Sequence, residues 1–231
     1  MNPRFFELLT FLALFCFTLS TLFIDLLFLT SEDGIVENLS VAFWMVGIIF
    51  AVRIMLKSKY KKKIVPFVLL SVCLISLGEE ISWGQRIFDL ETPHFIAVAN
   101  RQSELNFHNL YSLSGGSTWI NFFKTGEFNY HQIIDAQNLF RIGFIVFFIL
   151  LPFIFNTKHG EKFLSIVGYY KPENYFTILL GLFVVFTVLI TIGKNASYIH
   201  SIQEIREMAY ALFVGMYLCK FFYYTKQVKQ L

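Results

Sequence analysis

The sequence predicts an all-α fold, a polytopic integral membrane bundle of six transmembrane helices with one long extracytoplasmic loop. Three observations predict it. Of 231 residues, 56% are hydrophobic and only 15% charged, and a soluble domain needs more charge than that to cover its surface. The apolar residues gather into runs near the roughly 20 residues that a spanning helix requires. Lysine and arginine then gather in alternate connections, as the positive-inside rule demands.

The first span is expected over Phe5 to Leu29, a run rich in bulky Phe and Leu. It is too long for a signal-peptide core and lacks a small-residue cleavage site, so it reads as an uncleaved helix. The second is expected over Ile35 to Leu56, and Lys57, Lys59, Lys61, Lys62 and Lys63 follow it. The third is expected from Ile64 to Phe88. Its apolar part ends at Leu77, so a helix of spanning length must draw in the polar run Gly78 to Phe88. The long loop 89–138 follows. The fourth, fifth and sixth spans are expected over Leu139 to Phe155, Tyr175 to Gly193 and Ser197 to Tyr224. Short connections elsewhere give one membrane domain, residues 1–231. Arg4, the Lys57 to Lys63 cluster, Lys158, Lys162, Lys171, Lys220, Lys226 and Lys229 fall on one side, which assigns both termini to the cytoplasm.

Other classes are excluded or weakened. A net charge of +3 is too small for a nucleic-acid surface. Cys16, Cys73 and Cys219 all lie in apolar runs and read as small buried or lipid-facing hydrophobes, with no zinc-type spacing. Four of five histidines, His94, His108, His131 and His200, fall on the extracytoplasmic side, with most of the carboxylates. Polar chemistry is therefore expected at one face.

Adjacent Glu79 and Glu80 end the apolar part of the third span, with Ser82, Trp83, Gln85 and Arg86 beside them. Ionisable groups at that depth are costly and tend to mark function. One reading is an acid/base or metal-binding carboxylate pair, with Arg86 holding an anionic group or orienting a carboxylate. The other is an ion-pair cluster that ties helices together through Arg86, Arg101, Arg141 or Arg206. If helical, Glu79, Trp83 and Arg86 share a face. The sixth span opens with His200, Gln203, Glu204 and Glu207 at i, i+3, i+4 and i+7, a polar stripe. It suits either a divalent metal site or an interfacial turn. In the loop, Glu104 and His108 have i, i+4 spacing. Glu104, His108, His200, Glu204 and Glu207 are the candidate metal ligands. The acidic run with Glu32, Asp33 and Glu37 lacks calcium-loop spacing, and His131 with Asp135 forms a further pair before the fourth span.

Known intramembrane enzyme signatures do not fit. The EExxxR pattern of CAAX-type proteases puts Gly84 where its arginine belongs. Ser114 lies in a loop, unlike a rhomboid serine. The runs GEEISWGQRIF, ETP at Glu91 to Pro93 and NRQSELNFHNL do resemble a signature of uncharacterised bacterial multi-pass membrane proteins. That resemblance implies a bacterial inner-membrane setting and a shared polar site, and no activity.

The function expected is a membrane-embedded enzyme acting on a lipid or cell-envelope substrate from the extracytoplasmic face. Glu79, Glu80, Glu104, His108, His200, Glu204 and Glu207 would form its site, and hydrolysis or group transfer would be its chemistry. Two alternatives stay open. One is a non-enzymatic membrane partner or sensor, with a membrane protein or a second copy as partner. The other is a proton-coupled transporter or channel, which would need polar lining through both halves of the membrane.

Overall fold

The computed structural model describes residues 3–23, 27–30, 34–56, 62–100, 103–106, 136–191 and 196–227. The described chain is all-helical. Its helices are α1 (Pro3–Ser20), α2 (Leu27–Thr30), α3 (Ile35–Leu56), α4 (Ile64–Glu80), α5 (Gln85–Phe88), α6 (His94–Ala99), α7 (Ala136–Ile145), α8 (Leu151–Phe155), α9 (Lys158–Val167), α10 (Asn174–Thr191) and α11 (Ala196–Gln227).

Among the described residues, three stretches are long and apolar enough to cross a membrane: Phe28–Leu56, which contains α3, Asn138–Phe155 and Asn174–Thr191. They match the second, fourth and fifth expected spans. The first and third differ from the expected bounds, and the sixth is helical over the expected residues. α1 stops at Ser20 and gives way to a turn at residues 21–23. There the hydroxyls of Thr18, Ser20 and Thr21 donate to the carbonyls of Leu14, Phe17 and Thr18, and such local bonds compete with the helical ladder. α4 ends at Glu80 after 17 residues and does not continue helically to Phe88. α11 is 32 residues long, or about 48 Å, but its first turns are polar.

The fourth span is helical throughout, with a π-type stretch at Val146–Leu150 just before Pro152. Proline has no N–H to give to the carbonyl four residues back, and the widened turn accommodates the gap. α9 lies in what the sequence showed only as a connection. Thr157 caps it by accepting from the Gly160 N–H at 3.0 Å, and Gly168 closes it in the left-handed conformation.

The chain divides into two compact units, one of Met1–Cys73 with Phe148–Leu231 and the other of Leu74–Phe147. In the first, α11 is the central helix and packs most extensively on α3. Ile202, Ile205, Ala209, Phe213, Leu218 and Phe221 along it are all fully buried. Phe11 stacks on Phe213 at 4.7 Å, with Phe176 and Phe183 edge-on around them, joining α1 and α10 to α11. Lipid is as apolar as these rings, so close packing rather than exclusion from water holds them together.

The surface is inside-out relative to a soluble protein. α10 turns Thr177, Thr187 and Thr191 inward and leaves Ile178, Leu182, Val185 and Leu189 exposed. α3 likewise buries Ser40 and exposes Leu39, Met45, Val46 and Ile49. Water would penalise that arrangement, and hydrocarbon does not.

Candidate functional site

In the 74–147 unit the polar run after α4 forms a tight knot. Ser82 and Trp83 have φ of 46° and 53°, and Gly84 has 82°. Two consecutive left-handed non-glycine residues cost about 1–2 kcal/mol each, so the surroundings must hold them. Trp83 Nε1 donates to Glu79 Oε1 at 2.7 Å, folding the indole back along α4. A Cβ at Gly78 would lie 2.9 Å from that ring, so only glycine leaves room for it. Ser82, fully buried, donates from Oγ to Glu104 Oε2 at 2.5 Å. Asn106 Nδ2 donates to the same carboxylate oxygen at 3.0 Å and to Ser82 Oγ at 3.3 Å. Asn100 Nδ2 in turn donates to Asn106 O and Oδ1 at 2.7 and 2.8 Å.

Gln85 completes the knot. Its Oε1 accepts from the Leu105 N–H at 2.7 Å and its Nε2 donates to Thr92 Oγ1, which donates to the Ser103 carbonyl at 2.7 Å. The three separated runs of the sequence signature thus bond to one another. Ser82, Gln85, Thr92, Ser103, Glu104, Leu105 and Asn106 supply the side chains or backbone groups that do so.

Among the expected site residues, Glu79 and Glu80 are half-buried at the end of α4. The helical face expected for Glu79, Trp83 and Arg86 is not formed, because the left-handed turn intervenes; Glu79 and Trp83 meet through that turn instead. The Arg86 side chain lies outside the described residues. Glu104 sits in a bend at residues 103–105. His108, Arg101, Glu32, Asp33, Ser114, His131 and Asp135 lie outside the described residues. Arg141 Nη1 donates to Asn138 Oδ1 at 3.3 Å.

His200, Glu204 and Glu207 belong to the other unit. His200 Nδ1 lies 3.5 Å from Glu204 Oε1, as the i, i+4 spacing predicts. The stripe with Gln203 and Glu207 takes the more open side of α11, and Ser201, Ile202, Ile205 and Arg206 take the buried side. Among the described residues, no group of three or more His, Cys, Asp and Glu is arranged to hold a metal ion.

Sequence reasoning missed a second polar cluster, near the lysine-rich end of this unit. Glu7, 4% exposed on α1, accepts from Lys220 Nζ of α11 at 2.5 Å and from the Tyr175 hydroxyl of α10. Lys220 also reaches Tyr175 Oη at 3.2 Å and Glu173 at 3.4 Å, and Arg4 Nε pairs with Glu173 at 3.3 Å. Lone charges of opposite sign inside two apolar runs, Glu7 and Lys220, were the available signal. In the adjoining connection, burial raises the Tyr170 hydroxyl above its usual range, while Lys220 pulls it back down.

The chain matches no protein-family profile, and no curated protein or solved structure shows significant similarity to it. What its described residues define is an all-helical fold with three stretches long and apolar enough to cross a membrane.

Proposed function

We propose that the chain is a six-span membrane enzyme that acts on a lipid or cell-envelope substrate from the extracytoplasmic face. In this reading α1, α4 and α11 complete the spans, both termini lie in the cytoplasm and, following the resemblance of the signature runs, the membrane is a bacterial cytoplasmic one. Glu79 and Glu80 are the acid/base carboxylates, Arg86 holds an anionic group of the substrate, and a divalent metal is one means of assistance. Glu104, given to Ser82 and Asn106, becomes a positioning residue.

The observation that carries this reading is the left-handed turn at Ser82–Gly84 directly after Glu79 and Glu80. Backbone strain tends to be stored at functional sites and to persist where neighbours over-determine it, and here Glu79, Glu104 and Asn106 hold Ser82 and Trp83 in place. The test is turnover of extracted envelope lipids by protein reconstituted in liposomes, followed by mass spectrometry. Hydrolysis or transfer products should appear with the wild type and fall about 100-fold or more in Glu80→Gln. An unchanged lipid profile with the wild type, in the presence and absence of added divalent metal, overturns the enzyme reading.

A second reading, a non-enzymatic membrane partner, is favoured by one feature. Ile87, Phe88, Leu90, Phe95 and Val98 around α5 and α6 are exposed apolar side chains close together in sequence. Recovery of an intact, unreactive complex from the same membranes would support it.

A further inference from the structure

Of the three lysine and arginine residues on α11, Arg206, Lys220 and Lys226, the two inner ones differ in how the fold treats them. Lys220 is held by Glu7 at 2.5 Å and by Glu173 at 3.4 Å. Arg206 stands 14 residues earlier, about 21 Å along the same helix. It is 7% exposed, and its Nε is wholly buried without a hydrogen-bond partner. Among the described residues no ion pair includes it. A guanidinium cannot discharge by losing its proton, so burial costs it several kcal/mol unless an anion stands beside it. The chain could have avoided this with a neutral residue of similar length, as it does at Met208 two positions on.

Depth indicates what kind of anion. The polar turns Ser197 to Glu207 end at Arg206 and Glu207, and α11 is almost entirely apolar from Met208 to Cys219. Arg206 therefore lies where the helix passes from interface to hydrocarbon, the level of lipid phosphates. The planar fork of arginine suits two phosphate oxygens at once.

We propose that Arg206 is a phosphate-binding residue, taking the phosphate of a lipid headgroup or a free phosphate species that enters from the same side. The site is independent of the chemistry assigned to Glu79 and Glu80, and it holds whether or not the protein is an enzyme.

The full chain, delipidated in phosphate-free dodecyl maltoside, tests this with wild type, Arg206→Met and Arg206→Lys. Thermal unfolding and native mass spectrometry are read before and after adding phosphatidylglycerol in one arm and inorganic phosphate in the other. Without phosphate, Arg206→Met should unfold at a higher temperature than wild type, because it removes an unmatched buried charge. With the ligand, wild type should rise in midpoint and retain one bound molecule. Arg206→Met should do neither, and Arg206→Lys should bind on the order of 10-fold more weakly. Response in the lipid arm alone identifies a headgroup, and response to inorganic phosphate identifies a free species. The proposal is overturned if wild type responds in neither arm, or if Arg206→Met responds as wild type does. If Arg206→Met does not fold, wild-type affinity in Arg206→Lys overturns it.

Discussion

Glu7 shows how much one residue can decide in an apolar setting. Its carboxylate is buried among α1, α10 and α11, and Lys220 and Tyr175 both point their polar ends at it. Removing one partner leaves the other charge stranded, which costs about 3–5 kcal/mol for a buried pair. Glu7→Gln and Lys220→Met should each lower the unfolding midpoint strongly. The double variant should recover much of the loss, since no charge then remains unmatched. A double-mutant cycle in detergent checks this, and additive losses would show that the two groups are not coupled. The sequence carried both charges, each alone in an apolar run, but nothing in a single sequence says which distant lysine answers which glutamate. Tertiary pairing between residues 213 positions apart has no local signal.

At the scale of the element, length and composition made α3, the α7–α8 span and α10 legible, because hydrocarbon thickness imposes a count that can be read directly. The end of α4 was legible only as polar. Its spacing was tested against a helix, and the chain instead turns left-handed at Ser82 and Trp83. Such a turn rests on contacts from Glu104, Asn106 and Leu105, some twenty residues away, which periodicity cannot register. The i, i+4 pair of His200 and Glu204 was legible for the opposite reason, as both residues lie on one unbroken helix. The turn itself gives a prediction. Gly78→Val places methyl groups where the Trp83 ring lies, and overpacking of this kind costs about 1–3 kcal/mol. Trp83 should leave Glu79 and become more mobile, shown by its fluorescence quenching in a variant with Trp44 and Trp119 replaced by Phe. Unchanged quenching would mean that the indole does not pack there.

At the scale of the molecule, the arrangement around α11 bears on how the protein is made. The helix at the centre of its unit is the one that leaves the ribosome after all the helices it packs against. Until it arrives, Glu7 of α1 lacks the charge of Lys220, and Thr30 of α2 lacks Ser201, which it meets at 2.8 Å in the finished fold. The earlier helices must wait loosely associated, without the helix they pack against, a state open to quality-control proteases. Residues 1–191 expressed alone should therefore be degraded, on pulse–chase, several times faster than the full chain. Co-expression of residues 192–231 as a separate segment should restore the lifetime. Equal lifetimes with and without that segment would show that the waiting helices settle on their own, and that α11 inserts into a bundle already built.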